Sequence, residues 1–200
     1  MLFRSARLRG EGAAVRALVR RGCRGDEAEF LRTTGAEVVE ADLEEAGPLA
    51  AALDRAETVV HLLGSIERPR RGGYRGMHTA KTALLARAFR AEVEARRGRG
   101  GSGRGRVVYL STLGASPDAA NLYARTKGEA EEELRRSGLD WVSVQSSLIF
   151  GRETGGRDSK IVRKLARLAA SGRAVPLVGG GRNRIQPIYI ADLVSCLRAA

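Results

Sequence analysis

Arg106-Val107-Val108-Tyr109-Leu110-Ser111 decides the fold. Four apolar residues stand between an arginine and a serine, and a glycine-rich stretch precedes them. Such a run reads as a short buried strand. A segment of alternating acidic and basic residues, 120–137, follows as a helix and stops at Ser137-Gly138. Trp141-Val142-Ser143-Val144 is the next strand. Strand, helix and strand at this spacing form a βαβ unit, whose strands run parallel.

The same alternation extends upstream. Residues 57–63 read as a strand stopped by Gly64, and 75–96 as a long helix. Before them come a strand at 36–40 with a short helix at 46–54, and a strand at 14–19 with a charged helix at 26–34. The expected fold class is therefore α/β, a doubly wound parallel sheet of the Rossmann-like kind. No internal repeat is visible.

Composition narrows the function. Of 200 residues, 43% are hydrophobic and 29% charged, the balance of a globular domain. The longest apolar run, around Val59 to Leu63, is about five residues, too short to span a bilayer. No tripartite export signal opens the chain, so a cytoplasmic location is expected. Cys23 and Cys196 lie far apart, which suggests neither a disulfide framework nor a zinc site, and no metal is expected.

The net charge of +12 raises the question of a polyanionic partner. Only four of the 35 basic residues are lysine, and the arginines are scattered apart from a dense, glycine-rich stretch at 96–106. One tryptophan, four tyrosines and four phenylalanines make a poor stacking platform for bases. Nucleic acid is therefore not the expected partner, and 96–106 reads as a flexible surface connector rather than an RNA-binding tract.

Tyr123-Ala124-Arg125-Thr126-Lys127 carries the strongest chemical signal. Tyrosine and lysine four apart lie on one helix face. The helix follows a strand ending in Ser111-Thr112, and the carboxyl ends of parallel strands are where α/β sheets bind ligands. A cation beside a phenol favours the phenolate, which can exchange a proton near neutral pH. A serine hydroxyl nearby can hold a substrate oxygen. The alternative is a solvated surface pair with no chemistry.

These residues resemble the short-chain dehydrogenase/reductase superfamily, specifically its atypical and extended members. Four stretches carry the resemblance: Val15 to Arg20; Val39-Glu40-Ala41-Asp42-Leu43; Val108 to Ala115 leading to Tyr123 through Glu131; and Gly179 to Leu193. The last, with Phe150-Gly151, is similar to the branch of bacterial relatives of the nucleotide-binding accessory subunit of respiratory complex I.

The resemblance implies roles. Ser111, Thr112, Tyr123 and Lys127 match the catalytic set, with Tyr123 as acid/base, Lys127 its tuner and ribose contact, Ser111 the holder of the substrate oxygen and Thr112 the reserve. Arg20 matches the residue that pairs with an NADP 2′-phosphate, so NADP is the expected cofactor and NAD the alternative. Asp42 and Leu43 match the adenine contact, although Asp42 also suits a cap on the following helix. Leu62, Leu63 and Gly64 match the strand end beneath the cofactor ribose. Ser147 and Leu148 match the segment beside the nicotinamide.

Three departures qualify it. The glycine-rich dinucleotide loop and the first strand are not in the sequence, and Gly10-Glu11-Gly12 precedes a strand rather than following one. Gln145-Ser146-Ser147 stands where relatives carry arginine-proline-serine. The last residues, 190–200, read as a helix that only begins the substrate-binding region. The chain is thus expected to be a fragment: 7–200 a truncated NAD(P)-binding domain, and 1–6 a non-native N-terminus, since Leu2-Phe3-Arg4-Ser5 is the translation of a sequencing-adapter end.

The expected function is an NADP-dependent oxidoreductase or epimerase-like enzyme acting on an unknown small molecule. The alternative is a non-catalytic NADPH-binding assembly protein with a membrane-complex partner.

Overall fold

Parallel pairing governs every ladder in the computed structural model, which describes residues 12–22, 25–64, 73–151, 160–172, 174, 180, 182 and 185–200. Residues 1–11, 23–24, 65–72, 152–159 and much of 173–184 lie outside the described residues. The expected N-terminal piece and part of the fourth family-like stretch are among them.

In chain order the elements are β1 (Arg16–Val19), α1 (Gly25–Thr33), β2 (Glu37–Glu40), α2 (Ala46–Leu53) and β3 (Thr58–His61). Next come a helical turn, α3 (Gly73–Arg75), a π-helical turn (Gly76–Ala80) and α4 (Lys81–Gly98). Then follow β4 (Arg106–Thr112), α5 (Leu122–Arg136), β5 (Asp140–Ser146), β6 (Ile149–Phe150), α6 (Lys160–Ala170), β7 (Ile188–Tyr189) and α7 (Ile190–Ala199). The six expected elements upstream of β4 and the βαβ unit from β4 to β5 are all present. The pair β6–β7, aligned Ile149 with Ile188, was not expected, because two-residue strands have no periodicity to read.

The ladders fall into three sets, β1–β2, β3–β4–β5 and β6–β7. In the doubly wound order 3-2-1-4-5-6, β1 and β2 occupy places 2 and 3, and β3 to β5 occupy places 4 to 6. The break between β1 and β3 falls at place 1. Among the described residues no strand fills it. Side chains of both halves nevertheless share one core. Leu43, Leu49 and Leu53 cluster with Leu85, Phe89, Val107, Tyr109 and Leu134.

Alternation along β4 sorts its side chains between two layers. Val107 and Tyr109 join the α4–α5 side, with Phe89, Ala130 and Leu134. Val108 packs on the opposite side against Leu193 and Leu197 of α7. Ser111 continues the Val107–Tyr109 row toward α5, whereas Thr112 belongs to the other row.

The basic stretch after α4 is not a loose connector. Arg96 is buried, and its guanidinium donates to the carbonyls of Ala56 (2.5 Å), Ser102 (2.6 Å) and Arg104. Gly101 N also donates to Arg96 O at 3.0 Å. One arginine therefore folds the glycine-rich loop around itself and ties it to the end of α2.

Gly128 sets how close α5 comes to the loop after β4. A Cβ there would lie 2.3 Å from Ser116 C and 2.5 Å from its N and Cα, all backbone atoms. Gly128→Ala must push that loop away, and it is expected to cost about 1–3 kcal/mol. Urea unfolding checks this; an unchanged midpoint would mean that helix and loop separate freely.

Candidate functional site

Within each ladder the strands run parallel, so β1 and β2 end at one edge, as do β3, β4 and β5. Arg20 follows β1, Asp42 and Leu43 follow β2, and Leu62, Leu63 and Gly64 follow β3. Ser111 and Thr112 end β4, and Ser147 and Leu148 follow β5. Each of these sequence-singled residues therefore stands at the carboxyl end of a strand, where parallel sheets bind ligands.

Lys127 is the centre of this edge. It is 2% exposed, a rare state for an ammonium group. Its Nζ donates to Leu110 O at 2.7 Å and to Leu63 O at 3.4 Å. It also lies 4.2 Å from the centroid of the Tyr109 ring. Burial lowers its pKa to about 8, with Glu131 opposing.

Tyr123 opens α5, whose first turn is capped by Asn121 Oδ1 accepting from Tyr123 N at 2.8 Å. Its ring stands edge-on to His78 (5.2 Å) and to Tyr74 (5.7 Å). Burial, and next Tyr74, raise its pKa above the usual tyrosine value. The sequence places Tyr123 and Lys127 one turn apart, but the two hydrogen bonds of Lys127 go to strand-end carbonyls.

Ser111 is buried, and its Oγ is one of two buried side-chain polar atoms without a hydrogen-bond partner among the described residues. The other is Tyr109 Oη, whose pKa burial pushes up. An orphaned hydroxyl at a strand end is unfavourable unless something bonds to it. At Gly64 a Cβ would lie 3.5 Å from Lys127 Nζ and 3.6 Å from His78 Nε2, so this glycine backs directly onto the lysine and the histidine. The residues present therefore fit a ligand carrying hydroxyls.

The outer positions differ in detail. Arg20 is exposed, whereas Arg21 makes a bidentate pair with Glu45 at 3.0 and 2.7 Å. Arg21, by hydrogen bond and then charge, holds Glu45 near a pKa of about 2, with Asp42 N also donating to that carboxylate. Asp42 does not cap α2: the N-cap is Glu45, without a side-chain cap bond. Leu43 is buried in the core. Ser147 Oγ donates to Gln186 O, which brings the segment before β7 to the end of β5.

Two functional candidates escaped the sequence reading. His61 is buried on β3, 2.8 Å from Thr82 Oγ1 through Nε2, and stacks on Tyr109. His78 is fully buried on the π-turn, 2.9 Å from Thr126 Oγ1 through Nδ1. Burial, then Lys127, lowers their pKa values to about 3 and about 4. The only sequence signal was that the chain has just two histidines, each within an apolar or helical run. Among the described residues, no three His, Cys, Asp or Glu side chains are grouped to hold a metal.

These shifts predict the acid response. Both imidazoles bind protons less well folded than unfolded, where histidine titrates near about 6.5. The unfolded chain therefore takes up more protons as pH falls, and stability is lost from about 6.5 downward toward 4. Between pH 6.5 and 5 the ordinary carboxylates, near about 4, contribute little. Urea midpoints should fall across that interval, and the fall should flatten in His61→Asn/His78→Asn. An equally steep fall in that variant would show that the histidines titrate normally.

Comparisons with known proteins show the family and the fold. A family model described as NAD(P)H-binding matches residues 2–168. A mitochondrial protein of Arabidopsis thaliana, NADH dehydrogenase [ubiquinone] 1 alpha subcomplex subunit 9, is 24% identical over 155 residues, 76% of this chain and 34% of that protein. The chain thus spans about a third of that relative. Among solved structures, the Bordetella bronchiseptica enzyme WbmG in complex with NAD superposes with a TM-score of 0.71 at 14% identity, over 99% of this chain and 64% of that one. MoeE5 in complex with UDP-glucose and NAD gives 0.72 at 22% identity, over 98% and 66%. Citrobacter sp. triphenylmethane reductase complexed with NADP(H) gives 0.53 at 16%, over 74% and 46%.

Proposed function

The chain belongs to the NAD(P)H-binding family, and from that premise we propose that it is the nucleotide-binding part of an NADP-dependent oxidoreductase or epimerase-like enzyme. The observation that carries the proposal is the buried Lys127 ammonium between two strand ends, beside a glycine and an orphaned serine hydroxyl.

In this reading Arg20 meets the 2′-phosphate, with Asp42 and Leu43 beside the adenine. Leu62, Leu63, Gly64 and Lys127 meet the ribose, and Ser147 and Leu148 the nicotinamide. When bound, the nicotinamide supplies hydride transfer. The side chains handle the proton. Ser111 Oγ, with no internal bond to break, donates to the substrate oxygen. Tyr123 Oη gives or takes the proton at that oxygen. The row that Ser111 shares with Tyr109 faces α5, which favours it over Thr112 for this role. Lys127 lowers the cost of a phenolate on Tyr123 once its ammonium turns from the carbonyls toward the crevice. The cytoplasmic setting is part of the same proposal.

A second reading has its own support. Lys127 is tied to carbonyls and Tyr123 is held as a phenol, so the pair is not poised for proton transfer. A chain that binds NADPH without chemistry, and serves as a subunit of a larger complex as its 24% identical relative is named, would look the same.

Two measurements separate these readings. In thermal-shift titrations the 200-residue chain should show no saturable NADPH binding, for want of a glycine-rich phosphate cradle. A chain carrying that strand and loop ahead of residue 1 should bind NADPH. In it, Arg20→Ala should weaken NADPH by about tenfold or more while sparing NADH, as expected for one charge-assisted hydrogen bond. Failure to bind any dinucleotide would refute both readings. Given turnover, Tyr123→Phe should reduce kcat by about a hundredfold or more; unchanged turnover would remove Tyr123 as acid/base.

A further inference from the structure

His78 touches the side chain on which the proposed chemistry depends, yet nothing in the sequence pattern assigns it a role. It sits on the π-helical turn Gly76–Ala80, a local widening that often marks a functional site. Its side chain is fixed from one side by a hydrogen bond and meets two aromatic rings on the other.

Thr126 Oγ1 lies 2.9 Å from His78 Nδ1, 3.0 Å from Leu122 O and 3.1 Å from Tyr123 O, so this threonine joins the imidazole to the first turn of α5. Nε2 lies on the Gly64 side: a Cβ on Gly64 would stand 3.6 Å from it and 3.5 Å from Lys127 Nζ. The neutral form is the stable one there, because burial and the lysine charge both oppose protonation.

The rings complete the arrangement. Tyr74 stacks on His78, with centroids 5.6 Å apart and planes 21° apart. Tyr123 stands edge-on to both, at 78° to Tyr74 and 84° to His78. Edge-to-face contacts of this kind are directional. Thr126, three residues beyond Tyr123 on α5, thus anchors the histidine that packs against Tyr123 itself.

We propose that His78 is a positioning residue for Tyr123: held by Thr126, it forms with Tyr74 the wall that fixes the Tyr123 ring at the strand edge. The inference rests on the reading of Tyr123 as the proton-transfer group. It does not place His78 in contact with substrate. Removing the ring lets water reach the phenol and lets Tyr123 turn away from the edge; removing only the hydrogen bond keeps the wall.

Incorporating 3-fluorotyrosine tests this without turnover. The chain has four tyrosines, and the resonance of residue 123 is the one lost in Tyr123→Phe. His78→Asn keeps an N–H for Thr126 but has no ring; His78→Phe keeps a ring but has no N–H. The ionisation midpoint of residue 123 should fall toward that of free fluorotyrosine in His78→Asn and stay native in His78→Phe. A native midpoint in His78→Asn, or an equal fall in both variants, overturns the proposal. If His78→Asn does not fold, Tyr74→Leu removes the other half of the wall and must lower the midpoint too; a native value there overturns the proposal equally. In a chain that turns over, His78→Asn should lower kcat by at least about tenfold with the cofactor KM unchanged. Should Tyr123→Phe leave turnover intact, the catalytic reading fails, while the fluorine midpoints still decide the role of His78.

Discussion

A buried ammonium group is the constraint around which this edge is built. Taking a charge out of water is costly unless it is paired or richly hydrogen-bonded. Among the described residues no carboxylate hydrogen-bonds to Lys127; it has two strand-end carbonyls and the face of Tyr109. Because those carbonyls belong to Leu110 and Leu63, the lysine ties α5 to the ends of both β3 and β4. Tyr123, one turn earlier, comes to the same edge as a consequence. Gly128, the next residue, allows the helix to lie against the backbone at Ser116.

The same charge organises its surroundings. It helps keep His61 and His78 neutral while they hydrogen-bond to Thr82 and Thr126. Ser111, on the Tyr109 row of β4, has no hydrogen-bond partner among the described residues. A row of side chains fixed by burial and ending in such a hydroxyl is suited to receive a hydroxylated ligand. The family model that matches residues 2–168 is NAD(P)H-binding.

How much was legible in the sequence follows from range. The βαβ unit β4–α5–β5 was readable because its periodicities and the Ser137-Gly138 stop are local. The placing of Arg20, Asp42, Gly64, Ser111 and Ser147 at strand carboxyl ends followed once the strands were located. Features set by distant partners were hidden. Arg96 folding the 99–105 loop depends on Ala56 O, forty residues away. The pairing of β6 with β7 joins Ile149 to Ile188. His78 is read as an ordinary helix residue until the π-turn re-aims it. The large positive charge proved least informative, since Arg16, Arg21, Arg32, Arg75 and Arg90 are each matched by a glutamate.

The central claim is that the Lys127 edge is where dinucleotide meets this chain. Amide chemical-shift mapping of the isotopically labelled 200-residue chain, titrated with NADPH, tests it most directly, because weak contact still moves resonances. The account predicts graded shifts at Gly64, Ser111, Lys127 and Arg20, with residues 99–105 unmoved. Shifts confined to the arginine-rich loop, or none at the Lys127 edge at any NADPH concentration, would contradict it.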